Sequence, residues 1–250
     1  MVHLLPLPGT PKHKHSVKTI VDKAVEEALV YESCGLNGLI IENMHDVPYV
    51  NGKAGHEIST LMGIVGYEIK RQTNLPCGIQ ILAAANKAAM ATALSAGLDF
   101  IRAEGFVFGH LADEGYIDAN AADLLRYRKM IGAEHIAIWT DIKKKHSAHS
   151  ITSDVDIVET AKAAEFFLSD GLIVTGSSTG TKANIEEIKA VKEGSNLPLM
   201  VGSGITDKNI KDYLPFCDGV IVGSYFKKDG DWKNELDKNR IDELVKMVDS

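Results

Sequence analysis

Ionisable side chains follow short apolar runs at several places in the sequence. Glu42 closes "GLIIE", Arg102 and Glu104 alternate with apolar residues in "FIRAE", and Asp141 closes "IAIWTD", with Lys143 two positions further on. Carboxylates at such positions can donate or accept protons, an arginine can bind an anionic substrate, and a desolvated lysine can act as a base or Schiff-base nucleophile. We therefore predict these five residues as the catalytic candidates.

Three of these residues also have a non-catalytic interpretation. Arg102 and Glu104 share one face of their run, and if that is the outer face of a sheet they form an ordinary ion pair. Lys143 opens a Lys-Lys-Lys run, which is typical of a solvated loop. The sequence leaves both alternatives open.

Glycines and serines end two later apolar runs. "LPLMVGSGIT" spans residues 197 to 206 and "GVIVGS" spans residues 219 to 224. Glycine lets backbone N–H groups approach an anion closely, and a helix capped by Thr206 would add a favourable dipole. We predict a phosphate site formed by Gly202, Ser203, Gly204, Gly223 and Ser224. The alternative is that these glycines only make tight turns.

The segment "TGSSTG", residues 175 to 180, contains a G-x-S-x-G pattern between a predicted strand and a predicted helix. A hydrolase nucleophile elbow needs an acid and then a histidine later in the chain, but the last histidine of the chain is His149. The elbow is therefore rejected. We predict a loop beside the phosphate site, in which Gly176 and Ser177 supply further donors.

Short apolar runs alternate with amphipathic segments eight times along the 250 residues, which matches the count and length of a (β/α)8 barrel. A doubly wound sheet is the main rival, but "PLPGTP" follows the first run where a G-x-G-x-x-G loop would be expected. No linker or low-complexity tract divides the sequence. We predict one α/β domain over residues 1 to 250, a single-domain (β/α)8 TIM barrel.

Composition excludes several classes of protein. A net charge of -7 argues against a nucleic-acid partner, and no apolar run is long enough to insert into a membrane. The three cysteines form no C-x-x-C pair, and no histidine spacing matches a recognised metal motif. We expect no required cofactor and no protein-only metal site, with Mg²⁺ held by carboxylates and a substrate phosphate as the alternative. The expected location is the cytoplasm, or the mitochondrion if a presequence precedes Met1.

Several blocks together resemble one known family. "VHLLPLPGTP" (residues 2 to 11), "GLIIENMHDVPY" (38 to 49), "TDIKKKHS" (140 to 147) and "DGVIVGSYFKKDGDW" (218 to 232) are similar to the BtpA/SgcQ family, and the similar blocks run in order along essentially the whole chain. The resemblance implies a (β/α)8 barrel close to the ribulose-phosphate-binding barrels, and a homo-oligomer is expected from barrel relatives. It brings no agreed catalytic residues.

The predicted substrate pocket combines family-matching positions with one residue of the third predicted strand: His3, Asn43, Asp46, Gln80 and Thr175. The first functional hypothesis is an isomerase, epimerase or lyase that acts on a small phosphorylated metabolite, either a sugar phosphate or a nucleotide. The second follows from the resemblance, since the namesake is associated with photosystem I stability. It is a non-catalytic factor that assembles or stabilises partner proteins.

Overall fold

The computed structural model describes residues 1 to 176 and 181 to 248. Backbone contacts divide the chain into two compact units, each described by itself below. The first contains Met1–Arg102 and Leu124–Ala137, and the second contains Ala103–Asp123 and the chain from Ile138 onward. The interpretation of residues 1 to 250 as one domain stays a prediction.

The first unit is built from strand–helix repeats. Its elements are β1 (Val2–His3), α1 (Val17–Ser33), β2 (Leu39–Glu42), α2 (His56–Gln72), β3 (Cys77–Gln80), α3 (Asn86–Ala96), most of β4 (Phe100–Ala103) and most of α4 (Ala121–Met130). The four strands pair in parallel in that order, and their central isoleucines Ile41, Ile79 and Ile101 are completely buried. Strands that are apolar on both faces must be covered on both faces.

The second unit continues the repeat. Its remaining elements are β5 (His110–Ala112), β6 (Gly115–Ile117), β7 (Ala137–Ile142), β8 (Ser147–Ala148), α5 (Ile157–Phe166), β9 (Gly171–Thr175), α6 (Ile185–Gly194), β10 (Leu199–Gly202), α7 (Ile210–Tyr213), β11 (Gly219–Ile221) and α8 (Lys238–Val248). Within this unit β7 pairs in parallel with β9, β9 with β10, and β10 with β11.

Eight of the strands form one sheet in the order β1, β2, β3, β4, β7, β9, β10, β11, which is also their order in the chain. Eight strands in sequence order with intervening helices confirm the predicted (β/α)8 fold class. The three short strands β6, β5 and β8 form a separate antiparallel sheet in that order. These three strands were not expected from the sequence.

The helix after β10 differs from the prediction. The sequence favoured a helix capped by Thr206, but α7 covers only Ile210–Tyr213. Asn209 explains the difference, because its Oδ1 accepts a hydrogen bond from Thr206 N at 2.8 Å and its Nδ2 donates to Gly204 O at 2.8 Å. These bonds hold the preceding residues in a turn. Thr206 is therefore not the N-cap of α7, and the contribution of this segment to phosphate binding stays a prediction.

Among the described residues, no helix is both long enough and apolar enough to cross a membrane.

Candidate functional site

Buried polar residues lie at one register level in the first unit. His3 pairs with Glu42 and Glu42 with Gln80, while Arg102 directly follows Ile101, the partner of Ile79. Residues at the same level of a parallel sheet project to the same face, so this places four predicted site residues together. His3 Nε2 lies 3.5 Å from Glu42 Oε2, and the Gln80 side chain, 2 % exposed, has an Oε1 that bonds to no described residue.

The polar groups of Asn43 and Asp46 fix the loops after the first three strands. Asn43 Nδ2 donates to Asp46 Oδ2 at 2.9 Å, and Asn43 Oδ1 accepts from Leu82 N at 2.8 Å. Asp46 Oδ1 accepts from Leu7 N at 2.8 Å. Burial raises the pKa of Asp46, and the bonds from Leu7 and Asn43 oppose this rise. These two predicted pocket residues therefore position loops, and their contact with a substrate stays a prediction.

A buried ion pair lies in the second unit. Lys144 Nζ donates to Glu104 Oε1 at 3.2 Å, and each side chain is only 8 % exposed. The expectation that the lysine run is a solvated loop is thus wrong for Lys144, which the sequence analysis passed over in favour of Lys143. Lys143 instead donates to Thr152 O at 3.2 Å. A buried pair of this kind is costly to break, because the remaining charge stays desolvated.

Lys144 borders a cavity of about 20 Å³, which is also lined by Asp141, Lys143, His110 and His149. This volume exceeds the roughly 10 to 15 Å³ that one water molecule needs. Asp141, one of the predicted catalytic residues, is buried at its edge. Proton-transferring groups and room for one small polar group therefore occur together here.

His110 is a site residue that the sequence analysis missed. Its ring is bonded to the Phe108 backbone, and its Nε2 is buried with no hydrogen bond to any described residue. Burial lowers the pKa of His110 to about 4, with smaller contributions from Lys144 and His149. His149 lies beside it, with ring centroids 5.4 Å apart, and its Nε2 is 3.0 Å from Lys144 O.

Left-handed backbone conformations cluster in the two loops that border this cavity. Phe108, in the loop after β4, has φ +56°, and Lys143 and His146, in the loop after β7, have φ +46° and +55°. Such conformations cost non-glycine residues about 1 to 3 kcal/mol each and concentrate at functional sites. The turn at Lys143 explains how adjacent lysines come to lie in different environments.

The predicted phosphate loops follow β9, β10 and β11. Gly202 is in register with both Thr175 and Ile221, so the ends of these strands are neighbours. Ser203 and Gly204 have φ +72° and +64°. Thr175 Oγ1 accepts from Lys145 N at 3.3 Å, which joins this strand end to the loop after β7.

Two of the glycines are required by close packing against the backbone. A Cβ built on Gly204 would lie 2.6 Å from the Thr181 carbonyl carbon, and one on Gly176 would overlap the Thr181 oxygen. A Cβ on Gly202 would make ordinary contacts of 3.5 Å or more. Close backbone approach therefore accounts for Gly176 and Gly204, whereas packing does not require a glycine at position 202. Ser177 lies outside the described residues.

The loop after β11 is tied to the loop after β10. Gly223 and Ser224 are half-buried at the start of a short 3-10 turn, Ser224–Phe226. The Tyr225 hydroxyl bonds to Asp207, and burial together with that carboxylate raises the pKa of Tyr225. Arg240 Nε donates to Tyr225 O at 2.6 Å, and its guanidinium carbon lies 4.3 Å from the Tyr225 ring centroid. These contacts hold the two Gly-Ser segments in place.

Metal ligands do not cluster in the described part of the chain, since no group of three or more His, Cys, Asp or Glu side chains there could hold an ion. Mg²⁺ held jointly by carboxylates and a substrate phosphate stays a prediction.

Resemblances to solved structures define the class of fold. Thiamine phosphate pyrophosphorylase from Pyrococcus furiosus superposes with a TM-score of 0.61 at 15 % identity, over 90 % of this chain and 89 % of that one. Orotidine 5'-phosphate decarboxylase from Pyrococcus horikoshii gives 0.62 at 12 % identity, over 92 % and 95 %. At these identities the likeness shows the fold alone, a (β/α)8 barrel.

Sequence comparison gives the family. Residues 1 to 250 match the BtpA family, and the chain belongs to it. An uncharacterized mitochondrial protein of Caenorhabditis elegans is 51 % identical, over 100 % of this chain and 92 % of that protein. The photosystem I biogenesis protein BtpA of Synechocystis is 29 % identical, over 99 % of this chain and 86 % of that protein. The resemblance noted from the sequence is confirmed.

Proposed function

We propose that this chain is an enzyme that binds a small phosphorylated metabolite, a sugar phosphate or a nucleotide, with the phosphate at the loops after β10 and β11. The observation that carries the proposal is Gly202. It lies at a strand end, beside a strained Ser203 and next to the Gly223–Ser224 segment, and packing does not account for its lack of a side chain.

The position of these loops supports the proposal. β10 and β11 are the seventh and eighth strands of the parallel sheet, and the loops after these strands commonly bind phosphate in (β/α)8 barrels. Two structural neighbours, the thiamine phosphate pyrophosphorylase and the orotidine 5'-phosphate decarboxylase, have names that refer to phosphate compounds.

The chemistry would come from buried carboxylates. Glu104 faces Lys144, and Asp141 borders the cavity near His110, both in the same unit as the phosphate loops. Glu42, which faces His3 in the first unit, stays a candidate. Carboxylates in such surroundings can move protons next to a bound substrate, which suits isomerase, epimerase or lyase chemistry. We keep Arg102 and Lys143 as further candidates for binding the substrate.

The test compares two matched substitutions. Gly202→Asp places a carboxylate at the proposed phosphate site, whereas Gly219→Asp makes the same change at the opposite end of β11, where a Cβ also meets only ordinary contacts. Binding of inorganic phosphate, glycerol 3-phosphate, ribose 5-phosphate and nucleoside monophosphates is measured by calorimetry, with Mg²⁺ and with a chelator. The chelator series tests the predicted role of Mg²⁺.

We expect at least one compound to bind the wild type, and Gly202→Asp to weaken it about tenfold or more, since like charges in a desolvated site repel strongly. Gly219→Asp should bind as the wild type does. Absence of binding by every compound, or equal weakening by both substitutions, contradicts the proposal.

A second function is favoured by the surface. Val21, Val25 and Leu29 of α1 and Ile64 of α2 line an open groove in the first unit together with charged and polar residues of both helices, and Leu29 and Ile64 are exposed. Contiguous exposed apolar surface often marks a protein interface. This suits an assembly or stability factor, the role suggested by the name of the Synechocystis relative.

The mitochondrial label of the C. elegans relative supports the mitochondrial alternative for location.

Leu29→Lys and Ile64→Lys separate the two functions. An assembly factor should lose co-purifying partners with these substitutions and keep any phosphate binding. An enzyme should show no change in either its co-purifying proteins or its phosphate binding.

A further inference from the structure

The second unit contains a binding element that the proposed phosphate loops do not use. It is the cavity of about 20 Å³ bordered by His110, His149, Asp141 and Lys144. His110 is 5 % exposed, and its Nε2 has no hydrogen-bond partner in the described structure. Leaving a buried polar atom unbonded costs about 1 to 3 kcal/mol, so such an atom in a native protein calls for a partner.

The hydrogen bond to Phe108 determines which ring nitrogen carries the proton. The bond joins the ring to the Phe108 backbone and is of the kind that raises the pKa of His110, so the ring donates to the carbonyl oxygen. Because Nε2 has no partner, the donor is Nδ1, and in the neutral ring Nε2 carries a lone pair. The low pKa of His110, about 4, means that the ring is neutral between pH 5 and 8.

The lone pair selects the chemistry of the occupant. A phosphate or carboxylate oxygen would be repelled by it, whereas a hydroxyl group can donate to it. The same hydroxyl oxygen can accept from Lys144, whose ammonium carries three donors, one of which goes to Glu104. A volume of about 20 Å³ admits one hydroxyl or one water.

We propose that this cavity binds a hydroxyl group of the ligand, with Nε2 of His110 accepting the hydrogen bond. This inference deepens the proposed function, because the ligand would carry a hydroxyl group as well as a phosphate. It rests on the proposed function only for the phosphate. Asp141 lines the same cavity, so its carboxylate is a candidate to accept a hydrogen bond from the bound hydroxyl.

Two substitutions of His110 separate its ring nitrogens. His110→Asn keeps an amide donor near the position of Nδ1, for Phe108, and removes the acceptor at Nε2. His110→Gln places an amide oxygen near the position of Nε2 and so keeps an acceptor in the cavity. The probes are glycerol 3-phosphate and n-propyl phosphate, which differ in their free hydroxyl groups. Calorimetry gives the affinity ratio of the two for each variant, and thermal melts confirm that each variant is folded.

We expect the wild type and His110→Gln to prefer glycerol 3-phosphate by about tenfold, the worth of one buried hydrogen bond, and His110→Asn to bind both probes equally. Gly202→Asp should weaken both probes by the same factor and leave the ratio unchanged. Equal affinity of the wild type for the two probes overturns the hydroxyl site and leaves the phosphate site standing.

A second measurement covers the case in which neither phosphate compound binds and the proposed function fails. Imidazole ¹⁵N spectra are recorded during titration with glycerol. A shift of the His110 Nε2 resonance that is absent on adding propane supports the hydroxyl site by itself. No shift overturns it.

Discussion

At the scale of single residues, the Lys144–Glu104 pair allows a direct energetic test. We expect Lys144→Met to lower the free energy of unfolding by about 3 to 5 kcal/mol, because the buried Glu104 carboxylate loses this cationic partner. The double variant Lys144→Met/Glu104→Gln should recover much of the loss. Urea unfolding at pH 7 measures both variants.

An exposed pair provides the control for this cycle. Lys228 and Glu235 lie 3.2 Å apart with both side chains largely in solvent, so Lys228→Met should cost less than about 1 kcal/mol. Equal losses for Lys144→Met and Lys228→Met would show that Lys144 is not buried in solution.

His110 predicts a pH dependence of stability. Its pKa is about 4 in the folded protein and about 6.5 when unfolded, so below pH 6.5 the unfolded chain takes up a proton that the folded chain does not. Stability should therefore fall as the pH decreases, by about 2 kcal/mol between pH 7.5 and pH 5.

The Asn variant isolates this effect from the opposite contribution of Asp46, whose raised pKa favours the folded state at low pH. In urea unfolding at the two pH values, His110→Asn should lose about 2 kcal/mol less than the wild type. An equal pH dependence of the two proteins would mean that the His110 ring titrates normally.

The sequence favoured Lys143 as a candidate, whereas the fold buries its neighbour Lys144. Asp141 was predicted from its place at the end of an apolar run, and it does border the cavity. Lys144 could not be predicted, because the direction of each lysine depends on the left-handed backbone at Lys143. His110 follows no long apolar run, and its strand β5 has only three residues, so no periodic pattern marks it in the sequence.

At the scale of elements, the glycines after β10 separate a structural from a functional requirement. Gly204→Ala should lower the free energy of unfolding by about 2 to 4 kcal/mol, since the position has φ +64° and its Cβ would strike the Thr181 backbone. Gly202→Ala should change it by less than about 1 kcal/mol, because its contacts are ordinary. Thermal or urea unfolding checks both.

A larger loss of unfolding free energy for Gly202→Ala than for Gly204→Ala would contradict this prediction. Gly202 would then be a structural residue and would no longer support phosphate binding.

Element prediction succeeded where burial dominates and failed where local bonds decide. The eight predicted parallel strands agree with the structure to within one or two residues at most ends, because each is dominated by buried apolar residues. β5, β6 and β8 have three, three and two residues, too few for a periodic pattern. α7 is short because Asn209 bonds to the backbone of Gly204 and Thr206, a competition that propensity does not reveal.

At the scale of the whole molecule, the alternation of strands and helices was enough to predict the fold class, because a parallel sheet needs a crossover helix after each strand. The same pattern is shared by barrels with unrelated activities, so it cannot name a substrate. The candidate site depends on residues brought together from separate loops, such as His110 and Lys144. Their meeting is a property of the folded chain.

The surface of the molecule contains apolar side chains that do not contribute to its core. Phe166, at the end of α5, is 81 % exposed, whereas Phe106, in the loop after β4, is 1 % exposed. We expect Phe106→Ala to cost about 3 to 5 kcal/mol of unfolding free energy and Phe166→Ala less than about 0.5 kcal/mol, measured by urea unfolding. A large loss for Phe166→Ala would mean that its ring is covered in solution. A negligible loss leaves this apolar area available to a partner, which an assembly factor requires and a monomeric enzyme does not.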